Sequence, residues 1–358
     1  MPVGNELPYT HDGVQFAYPP TIIWECDEQW TYAREPILRR MPDESLVCLH
    51  YAGGPKEPHD DNLVLITRSA DDGETWSAPE VLFQHPSRGV WVTELFTDEG
   101  LPCMFVHTLE AGSHYLDLHT HCSWTRDSGR TWSEPVSLPG GAGHVSVRQG
   151  VVHSDGTWVF PVYWQEVREG FAWERNGGFG TNTRHRWEFC CGALRSTNRG
   201  RSFSLHGYIR RPGLSLWEPN IAELSDGSLM MLMRVSGSDP GALWRSDSTD
   251  GGLTWSAPHP LDIPDPSTKL TLLTHEGVVI LLNNPNPTIG ERKPLTLSIS
   301  RDDGATWERR ITLATHPTDR GVYYPHAFMD RERETLYVAC DIKKRHYLMK
   351  VPFADFLS

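Results

Sequence analysis

The chain has 358 residues and a net charge of −13 with no basic cluster, which argues against a nucleic-acid partner. No apolar run approaches the length of a membrane-spanning helix, and the N-terminus shows no signal-peptide pattern. Seven cysteines without framework spacing predict free thiols in a reducing compartment, so we expect a cytoplasmic protein with no membrane partner. Short runs of β-branched and aromatic residues between turn signals predict an all-β fold.

An eight-residue pattern, Ser/Thr-x-Asp-x-Gly-x-Thr-Trp, returns along the chain at intervals of 52 to 71 residues. Four copies keep every key residue, and one has Asn, Ser and Phe in place of Asp, Thr and Trp. The copies begin at Ser69, Thr125, Ser196, Ser248 and Ser300, and the altered one is that at Ser196. Self-similar units of roughly 50 residues are typical of propellers, solenoids or arrays.

Each copy is predicted to be a hairpin turn, because strand-like residues stand on both sides of it. Residues 62–67 precede the first copy and residues 77–83 follow it. Asp can accept hydrogen bonds from the backbone amides of the turn, Gly allows a positive φ, and Trp can pack the turn onto the strands. These residues are therefore predicted to be structural and not catalytic.

The repeats resemble the Asp-box, or bacterial neuraminidase repeat, of the sialidase superfamily, and the resemblance covers nearly the whole chain. It implies a six-bladed β-propeller with Asp-box hairpin turns, which would occupy residues 1–358 as a single domain. Five boxes would mark five blades. We expect the sixth blade to combine strands near residues 335–340 and 346–351 with an N-terminal strand near residues 21–24.

The first candidate site residue in chain order is Arg34, just before a predicted strand at residues 45–50. It is similar to the first of three arginines that bind the substrate carboxylate in sialidases, a role that suits the planar, bidentate guanidinium. Glu35 stands where that family has Ile. It is a candidate substrate-binding residue that either orients Arg34 or indicates a different substrate.

A polar loop over residues 50–61 follows. Sialidases carry an aspartic acid in this loop that protonates the leaving oxygen. The resemblance therefore implies that Asp61 is the general acid, with Asp60 as the alternative. His50 and His59 lie nearby in the sequence and could take part in proton transfer.

The next stretch contributes candidates for the walls of a pocket. Residues 144–163 resemble the third blade of sialidases, where His144, Arg148 and Tyr163 are candidate wall residues. The long loop of residues 168–187, rich in Gly, Asn and Arg, is predicted to be a lid or specificity element.

Two groups of residues raise the question of a metal site. Strand alternation puts Asp117, His119 and His121 on one face, near His107 and His114, where decoration of an exposed strand is the simpler interpretation. Cys190 and Cys191 stand close to His185, but the paired ligand spacing of a zinc site is missing. No metal or cofactor is expected. Glu94 also falls in the predicted second blade.

The segment of residues 216–234 carries the most specific resemblance. Glu218 matches the sialidase glutamate that activates a nucleophilic tyrosine, and Arg234 matches the second carboxylate-binding arginine. The family spacings hold, with five residues from Glu218 to Glu223 and eleven from Glu223 to Arg234.

The last two candidates come from the C-terminal quarter. Arg292, after an Asn-Pro stretch, matches the third arginine. Tyr324, before a proline, is the better match to the nucleophilic tyrosine, and Tyr323 is its close rival.

The resemblance implies a retaining exo-glycosidase that acts on sialic acid or a related acidic sugar, with an acidic glycan or oligosaccharide as its partner. A polysaccharide lyase is the alternative. There, arginine would neutralise a uronate while His50, His107, His144 or Tyr163 abstracts a proton. A glycan-binding propeller without catalysis is the third possibility. The sequence carries no signal for an oligomeric state.

Overall fold

The structure is a computed structural model that describes residues 7–113, 115–167, 187–237, 240–317 and 321–358. His114, His185 and residues 168–186 of the predicted lid lie outside the described residues. The first three strands are β1 (Tyr9–His11), β2 (Val14–Phe16) and β3 (Thr21–Glu25). Short 3-10 helices occupy Ala111–Ser113, Gly140–His144 and Phe353–Asp355. Among the described residues, no helix has the length and apolar character needed to cross a bilayer.

The remaining strands form antiparallel sheets in chain order. The first blade contains β4 (Ala33–Arg40), β5 (Leu46–Ala52), β6 (Leu63–Ser69) and β7 (Glu80–Phe83). The second contains β8 (Gly89–Phe96), β9 (Cys103–Leu109), β10 (Leu118–Trp124) and β11 (Val136–Ser137). The third contains β12 (Ser146–Val147), β13 (Val151–Val152), β14 (Trp158–Val167), β15 (Trp187–Ser196) and β16 (Ser204–Ile209).

Three further blades complete the set. The fourth contains β17 (Ser215–Glu223), β18 (Leu229–Ser236), β19 (Ala242–Ser248) and β20 (His259–Pro264). The fifth contains β21 (Thr271–His275), β22 (Val278–Asn283), β23 (Leu295–Ser300) and β24 (Glu308–Thr315), to which β2 and β1 add at the outer edge. The sixth contains β25 (Tyr323–Asp330), β26 (Thr335–Ile342), β27 (Arg345–Pro352) and, at its outer edge, β3.

The six sheets are the blades of a β-propeller, because the innermost strand of each contacts that of the next and β25 contacts β4. An apolar cluster fills each joint between neighbouring blades. Strand β22 shows how the two faces of a single strand pack into the joints on either side of its blade. Ile280 and Leu282 pack toward the sixth blade, whereas Val279 and Leu281, which alternate with them, pack toward the fourth.

The ring closes where the sequence predicted. Strand β3, from near the N-terminus, pairs with β27 so that Tyr347 lies opposite Ile22 and His346 opposite Trp24. Ile23 then packs in the joint between the sixth and first blades. The predicted all-β, six-bladed propeller is confirmed.

The Asp-boxes are turns held by their own side chains, as predicted. In the fourth blade, the Asp250 carboxylate accepts hydrogen bonds from the Thr254 amide at 2.9 Å and the Ser248 hydroxyl at 2.8 Å. The Ser248 hydroxyl in turn accepts a bond from the Gly252 amide at 2.8 Å. Hydrogen bonds from Thr254 and Ser248 hold the pKa of Asp250 at about 2, although burial alone would raise it.

Candidate active site

A cavity of about 470 Å³ opens at the end of the propeller where the innermost strands begin. The Asp-box turns lie at the opposite end, since Arg40 at the end of β4 donates to Asp72 in the first box. Eight of the residues predicted for the site line this cavity, and they are Arg34, Glu35, Arg148, Tyr163, Glu218, Arg234, Arg292 and Tyr324. The propeller axis therefore brings together residues that are far apart in the sequence.

Three inner strands carry the same backbone irregularity where they meet the cavity. Glu35, Glu218 and Tyr324 have φ of 49°, 46° and 47°, each at a shift in strand register and each followed by proline. This left-handed conformation is strained for a residue with a side chain, and a following proline normally favours extended backbone. Such strain persists where the surrounding structure enforces it, and the bulge turns these side chains toward the cavity.

The three predicted carboxylate-binding arginines are held by neighbours in the cavity wall. Arg34 pairs with the buried Asp341 at 3.3 Å. The Arg234 guanidinium stacks on Trp217, 3.8 Å from the ring centroid. Arg292 donates to the carbonyl oxygen of Ser267 at 3.1 Å. Each guanidinium is therefore oriented before any ligand binds, which lowers the cost of binding an anion.

The two tyrosines occupy different places. The Tyr324 ring lines the cavity, with the Arg292 guanidinium 5.6 Å from its centroid. Tyr323 is not among the lining residues, and its ring lies between the guanidinium groups of Arg34 at 4.9 Å and Arg292 at 5.4 Å. Burial, reinforced by the charge of Glu218, raises the pKa of Tyr324.

Glu218 is held as a carboxylate by two guanidinium groups. Arg234 lies 2.7 Å from one oxygen and Arg148 lies 3.3 Å from the other. Burial alone would raise the pKa of Glu218, but Arg234 and Arg148 outweigh burial and lower it. Glu218 can therefore accept a proton over most of the physiological pH range.

Glu35, which stands where sialidases have Ile, has two buried cations as partners. Its carboxylate forms an ion pair with Arg148 and another with Lys269 at 3.1 Å, and all three side chains are buried. Glu35 therefore supplies the negative charge that two buried cations beneath the cavity require. The ion-pair partner of Arg34 is Asp341.

The predicted acid, Asp61, lies outside the cavity, as does its alternative. The Asp61 side chain is 79% exposed, beside His59. The Asp60 carboxylate accepts a hydrogen bond from the Ala111 amide at 2.7 Å. Neither residue lines the cavity, whereas Pro58 of the same loop does.

Two of the predicted histidines also lie away from the cavity. His50 is buried in the joint between the first and sixth blades, where its Nδ1 lies 2.6 Å from that of His346 and its Nε2 lies 2.9 Å from the Thr67 hydroxyl. Alternation along β5 points it there. His144 ends a short 3-10 helix, with its Nδ1 2.9 Å from the carbonyl oxygen of Leu118.

Glu57 is the cavity acid that the sequence analysis missed. It belongs to the same loop as Asp61, and it accepts a hydrogen bond from the Tyr32 hydroxyl at 2.9 Å. Burial raises the pKa of Glu57 to about 7, and the hydrogen bond from Tyr32 only partly opposes this. No sequence motif distinguishes it from the other acids of the loop.

Aromatic side chains form much of the cavity wall. Tyr51, Trp91 and Tyr115 follow one another with ring centroids 6.1 and 5.9 Å apart. Phe189 stacks on Trp217 with centroids 5.0 Å apart and planes 11° apart. A wall of this kind suits the apolar face of a sugar ring whose anionic group points to the arginines.

The described residues hold no group of three or more His, Cys, Asp or Glu side chains arranged to bind a metal. Asp117 pairs with Arg88 at 2.7 Å and with His119 at 3.1 Å. Cys190 and Cys191 are buried free thiols. Glu94 is buried on the propeller axis, where it pairs with Arg39 at 2.9 Å.

A family model described as a BNR repeat-like domain matches residues 44–338. A curated sialidase from Bacteroides fragilis is 24% identical over 311 residues, in an alignment that covers 75% of this chain and 52% of the relative. The chain thus spans about half the length of that curated relative.

Solved structures share the fold. A protein of unknown function from Dyadobacter fermentans has a TM-score of 0.70 at 16% identity, covering 95% of this chain and 99% of that one. The NanB sialidase from Streptococcus pneumoniae has a TM-score of 0.69 at 15% identity, covering 94% and 71%. At such identities the likeness establishes the propeller fold alone. Any activity must be inferred from the residues of the cavity.

Proposed function

The chain belongs to the BNR repeat-like family, and from its cavity we propose that it is a retaining glycoside hydrolase that releases a terminal acidic sugar. The favoured sugar is a sialic acid or a close relative, as part of an acidic glycan. The observation that carries the proposal is the arrangement of three arginines around the same cavity as Tyr324 and Glu218.

The sugar acid would bind by its carboxylate to Arg34, Arg234 and Arg292. Guanidinium groups suit this role because they stay charged and present paired donors in one plane. The aromatic wall would hold the apolar face of the ring. The carboxylate would thereby fix the anomeric carbon beside Tyr324.

Tyr324 would act as the nucleophile. A carboxylate nucleophile would be repelled by the substrate carboxylate, whereas a neutral phenol is not, and tyrosine nucleophiles are a known exception to the two-carboxylate scheme. The Tyr324 oxygen bonds to the anomeric carbon and its proton passes to Glu218. Because the substrate carboxylate competes with Glu218 for Arg234, binding of the sugar increases the proton affinity of Glu218 when it is needed.

The test is turnover by the intact protein on a panel of aryl sialosides and uronate oligosaccharides. We expect hydrolysis of an acidic glycoside with retention. Tyr324→Phe should lower kcat by several orders of magnitude while the fold is kept, as expected for loss of a nucleophile. Tyr323→Phe is the matched control, because it keeps the ring that lies between Arg34 and Arg292, and its loss should be far smaller.

Three outcomes would contradict the proposal. Unsaturated products from uronate oligosaccharides would indicate a lyase, for which Tyr163 is the base candidate that lines the cavity. Glycan binding without turnover on any substrate would indicate a binding propeller. If Tyr324→Phe were as active as the unchanged protein, Tyr324 would not be the nucleophile.

A further inference from the structure

The proposed reaction needs a proton for the leaving oxygen, and neither Asp60 nor Asp61 lines the cavity where the sugar would bind. We propose that Glu57 is the proton donor and that Tyr32 is the residue that positions its carboxyl group. This inference rests on the proposed function. It assigns the acid role to a glutamate in the same loop, in place of an aspartate.

The contacts of the cavity acids single out Glu57. Glu35 is paired with Arg148 and Lys269, and Glu218 with Arg234 and Arg148. The cations beside Glu218 lower its pKa, and the carboxylate of Glu35 is occupied by its two ion pairs. In the described part of the chain, no cation lies within ion-pair distance of Glu57.

The groups that face Glu57 favour its neutral form. The acids Glu35 and Glu218 raise its proton affinity, while Arg34 lowers it. The phenols of Tyr51, Tyr115 and Tyr324 also face it, and Lys56 lines the same cavity. Burial is the largest influence, and it raises the pKa of Glu57 to about 7. A large share of Glu57 therefore carries a proton at neutral pH.

The hydrogen bond from Tyr32 determines which oxygen of the Glu57 carboxyl group can donate a proton. The Tyr32 hydroxyl donates to Oε2 of Glu57 at 2.9 Å, which leaves Oε1 to carry the proton. Glu57 is mostly buried but lines the cavity, so a sugar oxygen bound there can reach it. Tyr32 is in turn held by the Arg34 guanidinium, 5.9 Å from its ring centroid.

The proton balance closes over two steps. In the first, the bond from the anomeric carbon to the leaving oxygen breaks, its electron pair stays on that oxygen, and the Glu57 proton is transferred there. In the second, the Glu57 carboxylate takes a proton from the water that attacks the anomeric carbon. The Tyr324 phenolate departs and recovers its proton from Glu218.

The test compares two glycosides of the same acidic sugar, one with an alkyl or sugar leaving group and one with a nitrophenol. A nitrophenolate leaves without protonation, so only the first needs an acid. Glu57→Gln should lower kcat/KM on the first by about 10²- to 10⁴-fold, the usual range for general acid catalysis, and on the nitrophenyl glycoside far less. The ratio kcat/KM is the quantity to compare because it covers only the steps up to the bond to Tyr324, before Glu57 acts as a base. Glu57→Asp, which keeps a carboxyl group, should recover part of the loss. Asp61→Asn, the matched control in the same loop, should leave both rates unchanged.

Equal losses of kcat/KM by Glu57→Gln on both glycosides, with an unaltered circular dichroism spectrum, would overturn the assignment of Glu57 and leave the proposed function standing. If Asp61→Asn lost activity on the alkyl glycoside alone, Asp61 would be the proton donor instead of Glu57. Failure of the unchanged protein to hydrolyse any acidic glycoside would instead overturn the proposed function and this inference with it.

The variant Tyr32→Phe tests whether Tyr32 positions the Glu57 carboxyl group, through a pH dependence that a merely structural role would not alter. Without the hydrogen bond that stabilises the Glu57 carboxylate, the pKa of Glu57 rises. The alkaline limb of the kcat/KM profile for the alkyl glycoside should therefore move to higher pH. An unmoved limb would exclude Tyr32 as the positioning residue.

Discussion

At the scale of single residues, the cavity holds carboxyl groups with opposite protonation. Glu218 is kept ionised by Arg234 and Arg148, whereas Glu57 is kept partly neutral by burial. Pairs of acids whose pKa values are pushed apart are the usual arrangement for a base and an acid in one site. The same loop that carries Glu57 turns Asp61 into solvent.

A pH profile follows from these two shifts. Glu218 must be ionised to accept a proton, so activity is present above its lowered pKa and falls only in strong acid. Glu57 must be protonated to donate, so activity falls as the pH rises through about 7. We expect kcat/KM on a glycoside with a poor leaving group to be bell-shaped with its optimum on the acid side of neutrality. A flat profile through pH 8 would contradict this expectation, and the nitrophenyl glycoside, whose alkaline limb should be weaker, is the control.

The sequence predicted which arginines, which glutamate and which tyrosine would meet, because motif spacing and blade order restrict where each side chain can lie. Their chemical roles stay predictions. The sequence could not select among the acids of the loop. That choice depends on Asn62, whose side-chain amide donates to the carbonyl oxygens of Gly53 at 2.5 Å and Lys56 at 3.0 Å and so folds the loop.

At the scale of elements, the Asp-box joins one blade to the blade before it. A Cβ built on Gly73, in the first box, would lie 2.4 Å from Cδ2 of Leu348 in the sixth blade. One built on Gly304, in the box of the fifth blade, would lie 2.8 Å from the Met230 sulfur in the fourth. The glycine therefore lets each turn approach its neighbour as well as adopt a positive φ.

Gly73→Ala and Gly227→Ala separate these two demands. Both glycines have similar φ, 86° and 81°, but a Cβ on Gly227 would meet nothing within 4 Å. Both variants pay for backbone strain, and Gly73→Ala also overpacks the joint, at a further cost of about 1–3 kcal/mol. Urea unfolding should show the larger loss for Gly73→Ala. Equal losses would mean that Leu348 moves aside freely.

The strands themselves were only partly predictable. The strand predicted at residues 45–50 is β5, but β4, which carries Arg34, was not foreseen as a strand. Pro36 and the charged residues around it argue against a regular strand. The bulge at Glu35 resolves the conflict, because it takes the proline out of the ladder between β4 and β5. The same reasoning applies to Pro219 and Pro325.

At the scale of the whole molecule, the ring depends on one strand from near the N-terminus. A chain that begins at Cys26 lacks β3, so the joint between the sixth and first blades loses its Ile23 packing and its outer strand. We expect this chain to lose cooperative unfolding and all glycoside turnover. A chain that begins at Gly13 lacks only the largely exposed β1 and should keep both. Activity of the shorter chain would show that the ring holds without its closing strand. The closure itself was predictable, because five boxes leave one blade without a repeat of its own.

That closing strand also sets when the protein can start to work. Arg345 pairs with Glu25, 320 positions earlier, so β3 emerges from the ribosome long before its partner β27 exists. Tyr324 belongs to the blade that this partnership completes, and Arg34 to the blade beside it. We therefore expect a chain still being translated to have no activity until β27 has been made. Until then β3 is an unpaired strand, and this is where a chaperone would be needed most.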